Sequence, residues 1–345
     1  MANKLSLFFF FFVMTCLSLV CSLRQRSSHL CDRKTLPDPR ILRADQMTVL
    51  MNGYSESRIP LLRSIAATYS AIPSVSSVVV LWGNPSTPAQ TLIQLSYNLS
   101  ISSSSAPISV VRHSTDSLNA RFLPRPSVTT RAVAICDDDV EIDPKSVEFA
   151  FRVWTSNQHR LVGFFARSHD IDLTERTWIY TVHHDKYSIL LTKFMILKTE
   201  YLYKYSCEGG KAMMEMRERV NRMRNCEDIL MNFMVSEEGN EGPILVGAER
   251  ARDWGDGRNG EGEGEGEGEG REMEGEERKR VREVGLSSRR GGHRRRRGEC
   301  IREFHRILGR MPLRYGYGKV VNSVGEQGLC EKGGKLVFCD QQVAK

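Results

Sequence analysis

The chain has 345 residues, a formal net charge of +7 and 26% charged residues. Its length allows one large domain or two small ones, and it suffices for a hydrophobic core without the help of disulfides. A hydrophobic content of 40% beside this charge excludes wholesale disorder and a membrane protein with many spans. The modest charge excess is weak evidence for a nucleic-acid partner.

The first feature along the chain is an uncharged apolar segment at 5–23. A helix of this length reaches about 28 Å, close to the thickness of the hydrocarbon layer of a bilayer. The segment is either an uncleaved signal-anchor, which its length favours, or a long signal peptide with small residues, Val20 and Ser22, before a cleavage site. Both place the rest of the chain in the lumen. Arg24 and Arg26 favour the opposite orientation, which ranks last.

Two further features agree with a lumenal body. Asn98 begins an Asn-Leu-Ser sequon for N-glycosylation. The cysteines include no CxxC pair, so the spacing of a zinc ribbon is absent from the sequence. In an oxidising lumen, some of the cysteines outside the apolar segment should therefore form disulfides.

After a short polar stem at 24–45, apolar and amphipathic segments alternate along the chain. The pattern predicts strands at 47–52, 78–82, 108–111, 132–136 and 161–165, and helices at 59–69, at 144–157 and from near Cys226 through 229–235. The run at 78–82 is continuously apolar, which is typical of a strand covered on both faces. Strands that alternate with helices indicate an α/β domain with a mainly parallel sheet.

Residues 255–285 break this pattern, because Gly alternates with Glu at 260–270 and a stretch rich in Glu and Arg follows. Such a composition buries no apolar surface, so we predict a disordered loop inserted in the domain, or an artefact of the gene model. An arginine run at 289–297 comes next. Its ordinary interpretation is a solvated face or a nucleic-acid patch.

Three carboxylates, Asp137, Asp138 and Asp139, follow directly after the strand predicted at 132–136. Adjacent carboxylates repel each other, so this position costs stability unless a cation lies there. Ligands of open α/β sheets bind at the carboxyl ends of the strands, and hard divalent cations bind carboxylate and phosphate oxygens together. A nucleotide diphosphate bridged by Mg²⁺ or Mn²⁺ fits this site. The alternative, favoured for an isolated triplet, is a solvated acidic turn before the helix at 144–157.

A series of segments in order matches a known family. They are MTVLMNGYSESR (47–58), VVVLWGN (78–84), TDSLNARF (115–122), AICDDDVEI (134–142), VEFAFRVW (147–154), LVGFFARSH (161–169), NCEDILMNF (225–233), RRGECI (296–301) and MPLRY (311–315). With this series the chain resembles the exostosin-like α-glycosyltransferases of family 64. Its C-terminal residues resemble the plant branch, which adds mannose or N-acetylglucosamine to glycosyl inositol phosphoceramide, and the mannosyltransferases most of all.

The resemblance implies a GT-A fold, a Rossmann-like nucleotide-sugar-binding α/β domain with a mostly parallel central sheet. It divides the chain into a membrane segment at 1–23, a stem at 24–45, a single globular domain at 46–322 with the insertion 255–285, and a tail at 323–345. It also implies a single-pass type II protein of the Golgi membrane with a lumenal catalytic domain and no nucleic-acid partner.

The activity implied is metal-dependent, retaining transfer of a hexose to a glycolipid such as glycosyl inositol phosphoceramide. GDP-mannose is the first choice of donor and UDP-N-acetylglucosamine the next. A lumenal carbohydrate-binding protein that kept the fold and lost catalysis is one rival. A nucleic-acid binder that uses the arginine run is the other, and a lumenal location would remove its partner.

The resemblance also assigns roles to residues. It places Asp139 on Mn²⁺ or Mg²⁺ and makes Asp228 the acceptor-side catalytic acid. The nucleotide-sugar contacts fall on Arg58, Asn84, Asp116, Arg121, Asp137, Asp138, Glu227 and Arg297. Cys226 and Cys300 match the disulfide of the family, and Cys330 with Cys339 is a second candidate pair.

Residue types alone give weaker interpretations at some of these positions. Arg58 by itself would be a surface cation, and Asp228 by itself would be an acid that stabilises a helix N-terminus. The chain also departs from the family pattern, because Gly83 stands where the family favours Asn, and Asp116 stands where relatives often carry Asn. The contacts of Asn84 and Asp116 with the donor are therefore the assignments that the sequence supports least.

Overall fold

The computed structural model describes residues 30–255 and 292–322, together with the backbone of 329–332 and 335–338. The apolar segment at 5–23, the loop beyond Gly255 and the second candidate cysteine pair therefore lie outside the described side chains. Of the helices in the described ranges, none combines the length and hydropathy of a transmembrane span.

The helices and strands follow the chain in alternation. The α-helices are α1 (Ile59–Ser70), α2 (Ala89–Ser102), α3 (Pro144–Thr155), α4 (Glu200–Cys207), α5 (Gly210–Met223), α6 (Glu227–Gly239) and α7 (His293–Leu308). Short 3₁₀ helices lie at Arg33–Thr35, Glu56–Arg58 and Leu118–Phe122.

The strands are β1 (Arg43–Gly53), β2 (Val75–Trp82), β3 (Ile108–Arg112), β4 (Thr130–Asp137), β5 (Val140–Ile142), β6 (Val162–Gly163), β7 (Ala166–Asp172), β8 (Thr177–Thr181), β9 (Lys186–Tyr187), β10 (Ile189–Leu190), β11 (Phe194–Lys198), β12 (Ile244–Leu245), β13 (Ala251–Asp253), β14 (Gly316–Tyr317), β15 (Leu329–Lys332) and β16 (Lys335–Phe338).

The central sheet has seven strands in the order β12-β6-β11-β4-β1-β2-β3. β4, β1, β2 and β3 run parallel to one another, and β12 runs parallel to β6. β11 is antiparallel to both of its neighbours, β4 and β6. The prediction of an α/β domain with a mostly parallel central sheet is thus confirmed.

Apolar side chains cover both faces of this sheet. Along β2, Val78, Val80 and Trp82 point to one core, whereas Val79 and Leu81 point to the other. The first core includes residues of α1, α2 and α3, and the second includes residues of α4, α5, α6 and α7. The continuous apolar run of β2 is therefore explained by helices on both faces of the sheet.

Most predicted elements are present with small changes in their ends. The helix that follows the acidic triplet begins at Pro144, where Asp143 accepts a hydrogen bond from Ser146 N at 2.9 Å, and it ends at Thr155 rather than at 157. The strand expected at 161–165 is reduced to Val162–Gly163. The antiparallel strand β11 was not predicted, nor were α2, α4 and α5.

Two disulfides lie in the described part of the chain. Cys226 pairs with Cys300, as the resemblance implied, and Cys31 pairs with Cys207, a pairing that the sequence did not specify. Cys31 precedes the first strand and Cys207 ends α4, so this second bridge fastens the start of the domain to the helical layer. Cys136, a buried residue of β4, carries a free thiol.

Candidate active site

The acidic triplet lies at the carboxyl ends of the parallel strands. Asn52 of β1 is the register partner of Asp137 of β4, so these two strands end side by side. Two hydrogen bonds fix the exit from β4. Asp138 N donates to Asn52 O at 3.1 Å, and Asn52 Nδ2 donates to Cys136 O at 3.0 Å. The apolar strands therefore place all three carboxylates at one edge of the sheet.

Arg58 reaches this edge from the 3₁₀ helix that follows β1. Its guanidinium lies 3.1 Å from Asp138 Oδ1 and 2.5 Å from Asp139 Oδ2. Its side chain is only 10% exposed, so Arg58 is not the surface cation that its residue type suggested. The protein itself thus supplies part of the positive charge that the triplet requires.

Arg121 joins the triplet to a second acidic group. Its Nη1 lies 3.2 Å from Asp137 Oδ1 and 3.3 Å from Glu227 Oε1. Glu227 also accepts a hydrogen bond from Thr192 Oγ1 at 3.3 Å. Arg121 belongs to the 3₁₀ helix Leu118–Phe122, which precedes β4 in the chain. One guanidinium therefore ties the end of β4 to the first turn of α6.

Asp228, the next residue of α6, pairs with Arg297 of α7. Arg297 Nη2 lies 2.5 Å from Asp228 Oδ2, and Nη1 donates to Asn225 Oδ1 at 3.1 Å. The Arg297 guanidinium also lies over the Tyr180 ring, 4.6 Å from its centroid. Asp228 is buried and paired with Arg297, so its interactions go beyond the stabilisation of a helix N-terminus that its residue type alone suggested. The pair is enclosed by an aromatic ring and two helix ends.

The Cys226–Cys300 bridge lies beside this pair. Cys226 directly precedes Glu227, and Cys300 lies about one turn of α7 after Arg297. The bridge therefore links the start of α6 to the first half of α7, close to the two side chains that pair between them. Arg294 and Arg295 of the arginine run are exposed, whereas Arg297 is buried.

Burial and pairing both perturb the protonation of these groups. Burial raises the pKa of Asp138 to about 8, although Arg58 opposes the shift. Burial likewise raises the pKa of Glu227, against the attraction of Arg121. Burial alone would lower the pKa of Arg297, but the attractions of Asp228, Tyr180 and Glu227 together outweigh burial, so the pKa is raised. Perturbed groups of this kind gather at catalytic sites.

These groups form one largely buried series of five carboxylates and three guanidinium groups. It runs from Arg58 through Asp139, Asp138 and Asp137 to Arg121, Glu227, Asp228 and Arg297. A model of the family described as "Glycosyl transferase family 64 domain" matches residues 47–325. The chain belongs to glycosyltransferase family 64.

Relatives support the membership along most of the chain. A protein of Arabidopsis thaliana named "Glycosyltransferase family protein 64 C3" is 60% identical over 96% of this chain and 96% of its own. "Glycosylinositol phosphorylceramide mannosyl transferase 1" of the same plant is 27% identical over 80% of this chain and 76% of its own. "Exostosin-1" of Bos taurus is 38% identical, over 41% of this chain and 19% of its own. This protein is therefore a glycosyltransferase.

Three assigned residues of this family 64 enzyme lie apart from the buried series. Asn84 accepts a hydrogen bond from Ser86 N at 2.9 Å in the loop after β2. Asp116 is exposed and pairs with Arg224. Asn98, the sequon residue, lies half-buried within α2. In the described contacts, none of these three side chains pairs with the triplet or with Asp228.

Other residues of the site were missed by the sequence analysis. The Lys193 ammonium pairs with the Asp253 carboxylate, and the carbonyl of Lys193 accepts a hydrogen bond from Asp137 N at 3.3 Å. Trp254 N donates to Asp139 O at 2.8 Å. No local signal identifies these residues, because β11 and β13 are short strands whose partners lie far along the chain.

The family 64 site fits a divalent cation through its donor chemistry. Carboxylate oxygens are the ligands that Mg²⁺ and Mn²⁺ prefer. Asp138 Oδ2 is buried without a hydrogen-bond partner, and the neighbouring Asp139 is partly accessible. In the described part of the chain, no cluster of three or more His, Cys, Asp or Glu is arranged to hold a metal. A cation here would rely on one or two carboxylates, with phosphate and water completing its shell.

Proposed function

We propose that this family 64 enzyme is a metal-dependent, retaining glycosyltransferase that moves a hexose from a nucleotide sugar to a glycolipid. The observation that carries the proposal is the buried series of carboxylates and guanidinium groups. It joins a triplet at the ligand-binding edge of the sheet to an Asp–Arg pair on two facing helices. The triplet would lie beside the diphosphate of the donor, and the Asp–Arg pair would lie beside the acceptor hydroxyl.

Mannose from GDP-mannose is the proposed donor group, and glycosyl inositol phosphoceramide is the proposed acceptor. A relative with 27% identity is named as a mannosyl transferase of glycosylinositol phosphorylceramide. A second relative, also 27% identical, is named "Glucosamine inositolphosphorylceramide transferase 1", which keeps UDP-N-acetylglucosamine as the alternative donor. The apolar segment at 5–23 supports a single-pass type II topology in the Golgi membrane, where such an acceptor would be reached.

The donor diphosphate would lie at the triplet. Asp139 would hold the Mn²⁺ or Mg²⁺ ion, with Asp137 and Asp138 toward the ribose and the phosphate bridge. When bound, the cation supplies Lewis-acid stabilisation of the leaving diphosphate. Arg58 already contacts Asp138 and Asp139, so it is placed to approach phosphate oxygens at the same edge. Arg121 contacts the carboxylates of both Asp137 and Glu227, so it would hold the Asp137 side chain in a fixed orientation.

The acceptor would lie beside Asp228. Arg297 and Ile229 N both bond to its carboxylate, at 2.5 Å and 2.8 Å, so the orientation of the group is fixed before a substrate arrives. A carboxylate held in this way can orient an acceptor hydroxyl and take its proton. The Arg297 guanidinium is a fixed positive charge in a buried site, where it would stabilise negative charge on the departing diphosphate.

A binding and transfer assay tests the proposal. The full chain is mixed with Mn²⁺ and either GDP-mannose or a UDP-sugar, and the melting temperature is followed. The matching donor raises this temperature by mass action. Transfer to glycosyl inositol phosphoceramide is then measured for wild type and for the Asp228→Asn variant. Binding without transfer by folded wild type would favour the non-catalytic carbohydrate-binding protein.

A further inference from the structure

Segment 251–255, between β12 and the inserted loop, lies directly against the triplet. Its strand β13 pairs antiparallel with β5, so that Asp253 is opposite Val140, the residue after the triplet. Trp254 N then donates to the carbonyl of Asp139 at 2.8 Å. The segment is therefore fastened by backbone hydrogen bonds to the residues that the proposed function places on the metal.

The side chain of Asp253 ties the same segment to the central sheet. It pairs with the ammonium of Lys193, whose own carbonyl accepts a hydrogen bond from Asp137 N. Asp253 Oδ1 also accepts a hydrogen bond from Gly255 N at 3.2 Å. Lys193 thus contacts the triplet through its backbone and the covering segment through its side chain.

Gly255 leaves room for the Asp139 carboxylate. A Cβ atom at position 255 would lie 2.5 Å from Asp139 Oδ2 and 3.2 Å from its Cγ. On its other side, Asp139 Oδ2 accepts a hydrogen bond from Arg58 Nη1 at 2.5 Å. The carboxylate is therefore confined between a guanidinium and a position where only glycine fits without displacement.

We infer that segment 251–255 is a positioning element for Asp139, in which the Lys193–Asp253 ion pair holds the segment and Gly255 sets the orientation of the carboxylate. The inference rests on the proposed function, since orientation matters only if Asp139 binds a cation. Residues that orient a metal ligand typically change metal affinity about 10-fold to 100-fold when they are replaced. Lys193, Asp253 and Gly255 thus join the site as positioning residues.

Gly255→Ala is the first test, because it changes no charge. Binding of Mn²⁺ alone to the full chain is measured from the electron paramagnetic resonance signal of the free ion. We expect the affinity of Gly255→Ala to fall about 10-fold or more. Gly239→Ala is the matched control, because its Cβ would meet only His159 O, at an ordinary 3.6 Å. Equal Mn²⁺ affinity in Gly255→Ala and wild type would overturn the inference.

Lys193→Gln tests the Lys193–Asp253 ion pair through the direction in which the Mn²⁺ affinity changes. Removing a positive charge near the triplet would by electrostatics alone tighten Mn²⁺ binding, whereas loss of positioning weakens it. We expect weaker binding, with recovery in Lys193→Arg, which retains a cation for Asp253. Lys204→Gln, which breaks the exposed Lys204–Glu238 pair between α4 and the last turn of α6, is the control. Tighter binding by Lys193→Gln would overturn the positioning role.

A metal-free measurement separates this inference from the proposed function. The effect of Gly255→Ala on melting temperature is compared in wild type and in Asp139→Ala. We expect a clear decrease in wild type and a smaller one when the carboxylate is absent. Equal decreases would show that Gly255 does not act on Asp139. If wild type binds no Mn²⁺ while this coupling is present, the metal dependence fails and the contact between Gly255 and Asp139 stands.

Discussion

Two parts of the site use the same chemistry and are built in different ways. The triplet edge (Arg58 with 137–139) joins three consecutive residues at the end of β4 to an arginine that follows the neighbouring strand β1. The helix-end pair (Asp228 with Arg297) joins the ends of two helices, and its separation of 69 residues is similar to the 81 residues between Arg58 and Asp139. The side chains of Asp137 and Asp139 are 29% and 14% exposed, whereas those of Asp228 and Arg297 are 4% and 6% exposed.

This difference in exposure indicates different tasks. The triplet edge has more carboxylates than its contacting arginines balance, and it is open enough for a ligand to add positive charge. The helix-end pair is balanced one to one and only slightly exposed, so that neither member has a substitute. A ligand can therefore change the charge at the triplet edge, but the helix-end pair must be complete in the folded protein.

The largest expected effect is on transfer by Asp228→Asn. The amide keeps the shape of the side chain and accepts a hydrogen bond from Arg297, but it is a poor acceptor for a proton. We expect transfer to fall about 100-fold to 10,000-fold, while the donor still raises the melting temperature. Turnover and donor-induced thermal shift are measured on the same preparation. Loss of nucleotide binding would instead assign Asp228 to the donor.

The next expected effect is on the free energy of unfolding, and it differs between variants of Arg297 and Arg58. Arg297→Ala leaves Asp228 buried without its partner, and breaking a buried pair in this way costs about 3–5 kcal/mol of unfolding free energy. Arg58→Ala also destabilises the protein, but Mn²⁺ can replace the lost charge beside Asp138 and Asp139. Denaturant unfolding with and without Mn²⁺ should therefore show rescue of Arg58→Ala and none of Arg297→Ala. Rescue of both variants, or of neither, would remove the distinction between the two regions.

The two disulfides give a third comparison. Each closes a long loop, of 74 residues for Cys226–Cys300 and 176 for Cys31–Cys207, so replacing either pair by serine should cost about 2–4 kcal/mol. Only the first lies beside the helix-end pair. We expect transfer per folded molecule to fall in the Cys226→Ser/Cys300→Ser variant and to persist in the Cys31→Ser/Cys207→Ser variant. Mass spectrometry of wild type should find all four thiols oxidised.

The three carboxylates of the triplet edge were the part of the site that sequence could place, because they directly follow a predicted strand, whereas Arg58 alone suggested a surface cation. Continuous apolar strands fix the sheet, and Asp137 follows one of them directly. The helix-end pair gave no such signal. Asp228 alone suggested a helix-stabilising acid and Arg297 a member of a solvated run, and only the resemblance to a family joined them. Their proximity depends on packing between helices that no periodicity specifies.

The contacts of Lys193 and the bridge from Cys31 could not be predicted, for a related reason. Lys193 reaches the triplet because β11 enters the sheet antiparallel beside β4, and short apolar runs do not disclose their partners. Cysteine positions likewise allow several pairings, and sequence alone cannot choose among them. Long-range pairing is thus the information that was missing in both cases.

The last expected effect is a pH dependence that belongs to the triplet edge. Burial raises the pKa of Asp138 from 3.8 to about 8, against the attraction of Arg58. Between these values the folded protein binds a proton that the unfolded chain releases, so this contribution to stability is present below pH 4 and is lost as the pH rises through 8. The metal-free melting temperature should therefore fall from pH 5 to pH 8, and less steeply in Asp138→Asn.

A matched control isolates burial as the cause. Asp38 is a surface carboxylate whose pKa a hydrogen bond from Arg40 lowers to about 2, so it stays ionised throughout this window. Asp38→Asn should leave the slope between pH 5 and pH 8 unchanged, whereas Asp138→Asn flattens it and gains relative stability at the alkaline end. If the curves of wild type and Asp138→Asn are parallel, Asp138 is already ionised at pH 5. Arg58 would then outweigh burial, and the carboxylate of Asp138 would be charged in the metal-free protein.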